Sequence, residues 1–107
     1  MSQAPAEHPD FESFWLHFLS SHDNAAVRWC HVAGLACGVA GIAIAGQKWR
    51  LWPALLGGGA FAALAILSHP LLAGNWPENF GHPRWGARAF LRLCARTVTG
   101  TLARSTP

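Results

Sequence analysis

The sequence predicts an all-α integral membrane protein, with two transmembrane helices in a hairpin flanked by N- and C-terminal amphipathic helices. Three observations predict it. Two long stretches, residues 29–47 and 51–77, contain no Asp, Glu, Lys or Arg, and each suffices for the ~20 helical residues that cross a bilayer core. The break between them, Lys48-Trp49-Arg50, is too short for anything but a tight hairpin. Hydrophobic residues make up 51% of the chain and charged residues 12%, about half the ~25% of a typical soluble domain. The alternative is a soluble bundle with two buried central helices, which their many glycines would leave loosely held.

Residues 1–10 contain two prolines and no basic residue, so they lack the charged opening of a signal peptide and read as a disordered leader. A single membrane domain over residues 11–103 follows. Asp10 is placed to cap a first helix over 11–21. Phe11, Phe14, Trp15, Phe18 and Leu19 recur at the spacing of one apolar face. Continued at 100° per residue, that face brings His22 within ~20° of Phe11. His17 points the other way, toward water.

Asp23-Asn24 can cap the second helix, expected over 25–46. Gly34, Gly38, Gly41 and their small neighbours allow close helix packing in lipid. Trp49 and Trp52 flank the loop, where interfacial indoles are favoured. Pro53 suits the first turn of the third helix, expected over 52–72, and Gly57, Gly58 and Gly59 offer close approach to the second. Pro70 disfavours helical geometry at His69, so the chain should kink or end there. The segment from Gly74 to Pro83 has the composition of a rigid loop.

The last helix is expected over 84–102. Arg84, Arg88, Arg92 and Arg96 sweep a ~120° arc, with Phe90, Leu91, Leu93, Cys94 and Val98 opposite. That pattern fits a helix lying on anionic headgroups. Nucleic acid is a poor partner for a basic face that follows directly on a membrane segment. Five of the eight basic residues lie beyond residue 83. Counting Arg28, six flank the open end of the hairpin against two in its loop, which predicts both termini in the cytoplasm. The cysteines at 30, 37 and 94 have no metal-type spacing.

Four histidines gather at the open end. With a rise of about 1.5 Å per residue, His31 and His69 lie at similar depth from the loop. His22 joins them from the first helix and His82 from the loop after the third. Ionisable groups at membrane depth are functional candidates by default, and imidazole suits several transition metals without selecting one. These residues therefore point either to a metal site or to a polar network that ties the elements together.

The run Ser21-His22-Asp23-Asn24, followed by Arg28, His31 and Gly34, resembles the first signature of a small membrane family of 2-hydroxy fatty acid dioxygenase-like proteins. His69, Asn75, Pro77, Phe80, Pro83 and Trp85 match the second signature, and Arg92 and Gly100 fit its final helix. The resemblance spans residues 11–103. It implies an Fe(II)-dependent dioxygenase that shortens 2-hydroxy fatty acids by one carbon with O2, a step of fatty acid α-oxidation. The metal ligands would be His22, His31, His69 and His82, with positions left open for substrate and O2. Arg28 would neutralise the substrate carboxylate, Asn75 would orient a histidine, and the acyl chain would lie along the hairpin. Many relatives carry a Glu where this chain has Ala73 or Gly74, and an Asp near Phe90. If those acids serve the metal, His82 is the candidate replacement. Two other readings of the same residues are a non-catalytic membrane module with structural histidines and a haem-binding helix pair with His31 and His69 as axial ligands.

Overall fold

The computed structural model of the protein describes residues 9–76 and 82–101. Most of the expected leader lies outside the described residues, as does the stretch 77–81 of the expected loop. Four α-helices and no strand occur among them: α1 (Phe11–Ser20), α2 (Ala25–Lys48), α3 (Trp52–Ser68) and α4 (Pro83–Thr99), with a π-helical turn, His69–Ala73, continuing α3.

Local chemistry sets these boundaries. Asp10 caps α1, its carboxylate accepting the Ser13 amide at 2.8 Å. Asn24 caps α2 through Oδ1, which accepts the amides of Ala26 and Val27 at 2.8 and 3.2 Å. α2 ends at Trp49, which takes a left-handed conformation with φ 54°, and Pro53 enters α3 in its first turn. Pro70 has no N–H to continue the α-helical pattern. The chain widens there into the π turn, closed by Gly74 at φ 72°.

α2 and α3 form the expected hairpin. They approach most closely at Gly41 and Gly57. A Cβ on Gly41 would stand 2.5 Å from the Pro53 carbonyl oxygen, and one on Gly57 2.5 Å from that of Cys37. Gly34 and Gly38 lie against Phe61. Gly58 and Gly59, expected to share in the close approach, face open space instead. Helical periodicity allows only one of three consecutive residues to point at a given neighbour.

α1 and α4 pack on each other around Phe11, Phe14, Trp15, Phe18, Ala89 and Leu93, with Leu19, Trp85 and Phe90 at the margin. The interior face of α4 is Gly86, Ala89, Leu93, Cys94 and Thr97. Leu91 and Val98, placed opposite the arginines in the sequence reading, are not part of it and are exposed. The arginine side is not a plain solvent face either. The Arg88 guanidinium lies 3.9 Å from the centre of the Phe11 ring, and that of Arg92 lies 4.9 and 5.1 Å from Phe11 and Trp15. Arg96 covers Trp15, and Arg92 also pairs with Glu12 at 3.4 Å. Each cation–π contact of this kind contributes ~0.5–1 kcal/mol at exposed sites.

Two helical stretches, Ala25–Lys48 and Trp52–Ala73, are long and apolar enough to cross a membrane. Their most apolar windows are only 17% and 11% buried within the fold. Val39, Ile42, Leu55, Leu56 and Leu71 are all more than half exposed.

Candidate metal centre

Three histidines meet where the end of α1, the start of α2 and the π turn converge. His22 follows the last turn of α1, His31 lies in the second turn of α2, and His69 opens the π turn. All three are buried, with 4%, 3% and 1% of their surface exposed. Their ring centres stand 4.8, 4.5 and 5.2 Å apart, with interplanar angles of 89°, 88° and 75°. One ring nitrogen from each lies within 4.8 Å of the others. The sequence reading that put His22 on the inner face of α1, and His31 level with His69, thus matches their positions. His17 is exposed, as its face predicts.

The hydrogen bonds fix which nitrogen of each ring carries the proton. His22 Nδ1 lies 2.7 Å from the Phe18 carbonyl oxygen, and His31 Nδ1 lies 2.8 Å from that of Val27. A carbonyl oxygen only accepts, so both Nδ1 atoms are N–H donors. His69 Nδ1 lies 2.9 Å from Asn75 Oδ1, while Asn75 Nδ2 donates to the Ser21 carbonyl at 3.2 Å. Asn75 therefore presents its oxygen to the ring, and His69 Nδ1 is a donor as well. In the neutral imidazoles every Nε2 is left with a bare lone pair.

The lone pairs of His22 and His31 face each other. His22 Nε2 and His31 Nε2 are 3.2 Å apart, yet with both protons on Nδ1 no hydrogen bond joins them. A proton shared between the rings would require one imidazolium. Burial opposes that, pushing the His22 pKa down to about 3, with His31, His69 and Arg28 adding to the effect against the bond to Phe18. A metal cation resolves the conflict. Two imidazole nitrogens each ~2.1 Å from one ion stand ~3.0–3.4 Å apart at octahedral or tetrahedral angles. The spacing of the His22–His31 pair thus fits a transition metal, His69 brings a third ring nitrogen within 4.8 Å of both, and each ring's Nδ1 is anchored as metal-binding histidines require.

The remaining candidates divide. Arg28 Nη1 donates to the His22 carbonyl at 2.9 Å, so its guanidinium sits beside the cluster. Asn75 bridges His69 and Ser21 as described. His82 stands outside the three-histidine group, its ring stacked on Trp85 at 5.1 Å and edge-on to Phe14 at 5.5 Å. Phe90 leans on His31 at 5.4 Å and on Phe61 at 5.3 Å. No cysteine or carboxylate joins the group among the described residues. Sequence reasoning missed Phe18, whose ring stacks on His22 at 4.1 Å and whose carbonyl sets its tautomer. Their four-residue separation on one helix was the available signal.

Residues 8–102 match the model of a protein family described as Mpo1-like, 2-hydroxy-palmitic acid dioxygenase Mpo1-like. No curated protein and no solved structure matches the chain.

Proposed function

Since the chain belongs to the Mpo1-like family, we propose that it is an Fe(II)-dependent dioxygenase that shortens 2-hydroxy fatty acids by one carbon with O2. The observation that carries this reading is three buried histidines, His22, His31 and His69, that each bring a ring nitrogen within 4.8 Å of the others while each Nδ1 proton is committed elsewhere. Iron bound there would supply a Lewis acid for hydroxyl and carboxylate oxygens and a source of electrons for O2.

The chain's own groups account for the substrate's polar end. Three neutral imidazoles leave a divalent ion's charge uncompensated, which favours an anionic, chelating ligand such as a 2-hydroxy carboxylate. Arg28 spends one N–H on the His22 carbonyl, and its planar fork retains donors for a carboxylate. Asn75 keeps His69 in the tautomer that binds metal. Phe18 and Phe90 cover His22 and His31 with apolar surface, which restricts water at the reacting end. The aromatic stack with Trp85 and Phe14 gives His82 a packing role in this scheme.

The α2–α3 hairpin spans the bilayer in the same reading. Trp29 and Trp49 are both exposed and stand twenty helical residues apart, or ~30 Å, the thickness of the hydrocarbon core. His31 lies one turn or less from Trp29, so the substrate carboxylate meets the histidines at headgroup level while its acyl chain stays in lipid. Both termini and the site face the cytoplasm. Arg84 and Arg88, the exposed arginines of α4, meet anionic headgroups there.

Turnover tests the activity. Protein purified in detergent, loaded anaerobically with Fe(II) and then given O2 and 2-hydroxypalmitate, should release the fatty acid one carbon shorter. Loaded protein that yields no shortened product from 2-hydroxy acids of several chain lengths would refute the assignment.

A further inference from the structure

The π turn that carries His69 is held from outside. Asn24 Nδ2 donates to the Leu72 carbonyl at 3.1 Å, across 48 residues of sequence. The same side chain caps α2 through Oδ1. Asn75, just past the turn, takes its own carbonyl, Ser21, from the end of α1. Two asparagine amides thus lace the π turn to the Ser21–Asn24 junction, one in each direction, and His22 lies inside that junction. A π turn is a poorly favoured local geometry. Its position relative to His22 and His31 therefore depends on such external contacts.

We infer that Asn24 is a positioning residue of the three-histidine centre, acting through its amide donor to Leu72 and not only as a helix cap. The inference rests on the metal reading above. The two functions of the side chain are chemically separable. Aspartate and serine both cap helices about as well as asparagine, and neither carries an amide donor. Asn24→Asp and Asn24→Ser therefore keep the start of α2 while releasing Leu72. Losing a direct hydrogen bond to a ligating histidine costs ~10–100-fold in metal affinity, and Asn24 acts one step further out through Leu72, so the lower end of that range is expected.

The test is a Co2+ titration of the full-length protein in detergent, following the visible absorption of the bound ion, with thermal unfolding of the metal-free forms measured alongside. Both variants should unfold at the wild-type temperature, bind Co2+ about ten-fold or more weakly, and show an altered Co2+ spectrum because His69 has shifted. Wild-type affinity and spectrum in the Asn24→Ser variant would overturn the inference. A loss of affinity matched by an equal loss of metal-free stability would also overturn it, reducing Asn24 to a cap. Failure of the wild-type protein itself to bind Co2+ would instead remove the metal reading on which the inference stands.

Discussion

His22 Nε2 and His31 Nε2 face each other at 3.2 Å, each without a proton, because Phe18 and Val27 hold the protons on the opposite nitrogens. In the metal-free protein this is a repulsive contact between lone pairs, relieved by a cation or by protonation. Burial makes protonation costly. The folded-state pKa of His22 lies near 3 against 6.5 in the unfolded chain, so the unfolded state binds the proton first as pH falls. Its contribution to stability is full above pH 6.5 and is lost as pH drops toward 3, at up to ~1.4 kcal/mol per pH unit. Denaturation of metal-free protein across that window should show this slope, and His22→Gln should flatten it.

Removing the anchor of His69 should weaken the site without touching a ligand. Asn75→Ala takes away both the acceptor for His69 Nδ1 and the donor to Ser21. Metal affinity should fall ~10–100-fold. Asn75→Asp keeps an acceptor for Nδ1 and should retain more affinity than alanine. Metal competition against a chromogenic chelator measures both, and equal affinities for the two variants would count against the anchoring role.

The hairpin should respond to glycine substitution one face at a time. Gly41→Ala and Gly57→Ala place a methyl 2.5 Å from a backbone carbonyl oxygen. Overpacking of this kind costs ~1–3 kcal/mol. Gly58→Ala and Gly59→Ala meet no neighbour and should be neutral or stabilising by up to ~1 kcal/mol. Thermal unfolding in detergent reads all four.

The helical hairpin and the depth of its histidines are legible in the sequence because both follow from fixed helical rise and rotation. A 20° offset from Phe11 is enough to aim His22 inward. The partners that set the tautomers are less accessible. Two of them are carbonyls four residues back, which every helix offers. The third, Asn75 on His69, needs the tertiary docking of a π turn that only Pro70 hints at. The contact of Asn24 with Leu72 leaves no trace in periodicity. Leu91 and Val98 do not share the buried side of α4 with Leu93 and Cys94, because at 100° per residue they lie within ~40° of Arg84. Its arginines read as facing anionic headgroups, and periodicity gives no sign that the guanidinium groups of Arg88 and Arg92 lie over aromatic rings of α1.

Topology is open to chemical labelling. In a variant whose native cysteines are replaced, Gln47→Cys should react with an impermeant maleimide in intact cells if the proposed orientation, loop outside and arginine-rich end inside, holds. Labelling only after lysis would reverse the orientation and the cytoplasmic access of substrate.

The most direct test of the centre is iron stoichiometry in purified, Fe(II)-reconstituted protein. Wild-type protein should hold one iron per chain. His22→Ala, His31→Ala and His69→Ala should each lose it, and double mutants should be no worse, because an incomplete set of donors no longer retains the ion. His17→Ala, on the exposed side of α1, should keep full iron, and so should His82→Ala, whose ring stands outside the three-histidine group. Wild-type protein without iron, or full iron in any two of the three single mutants, would contradict a shared three-histidine metal site.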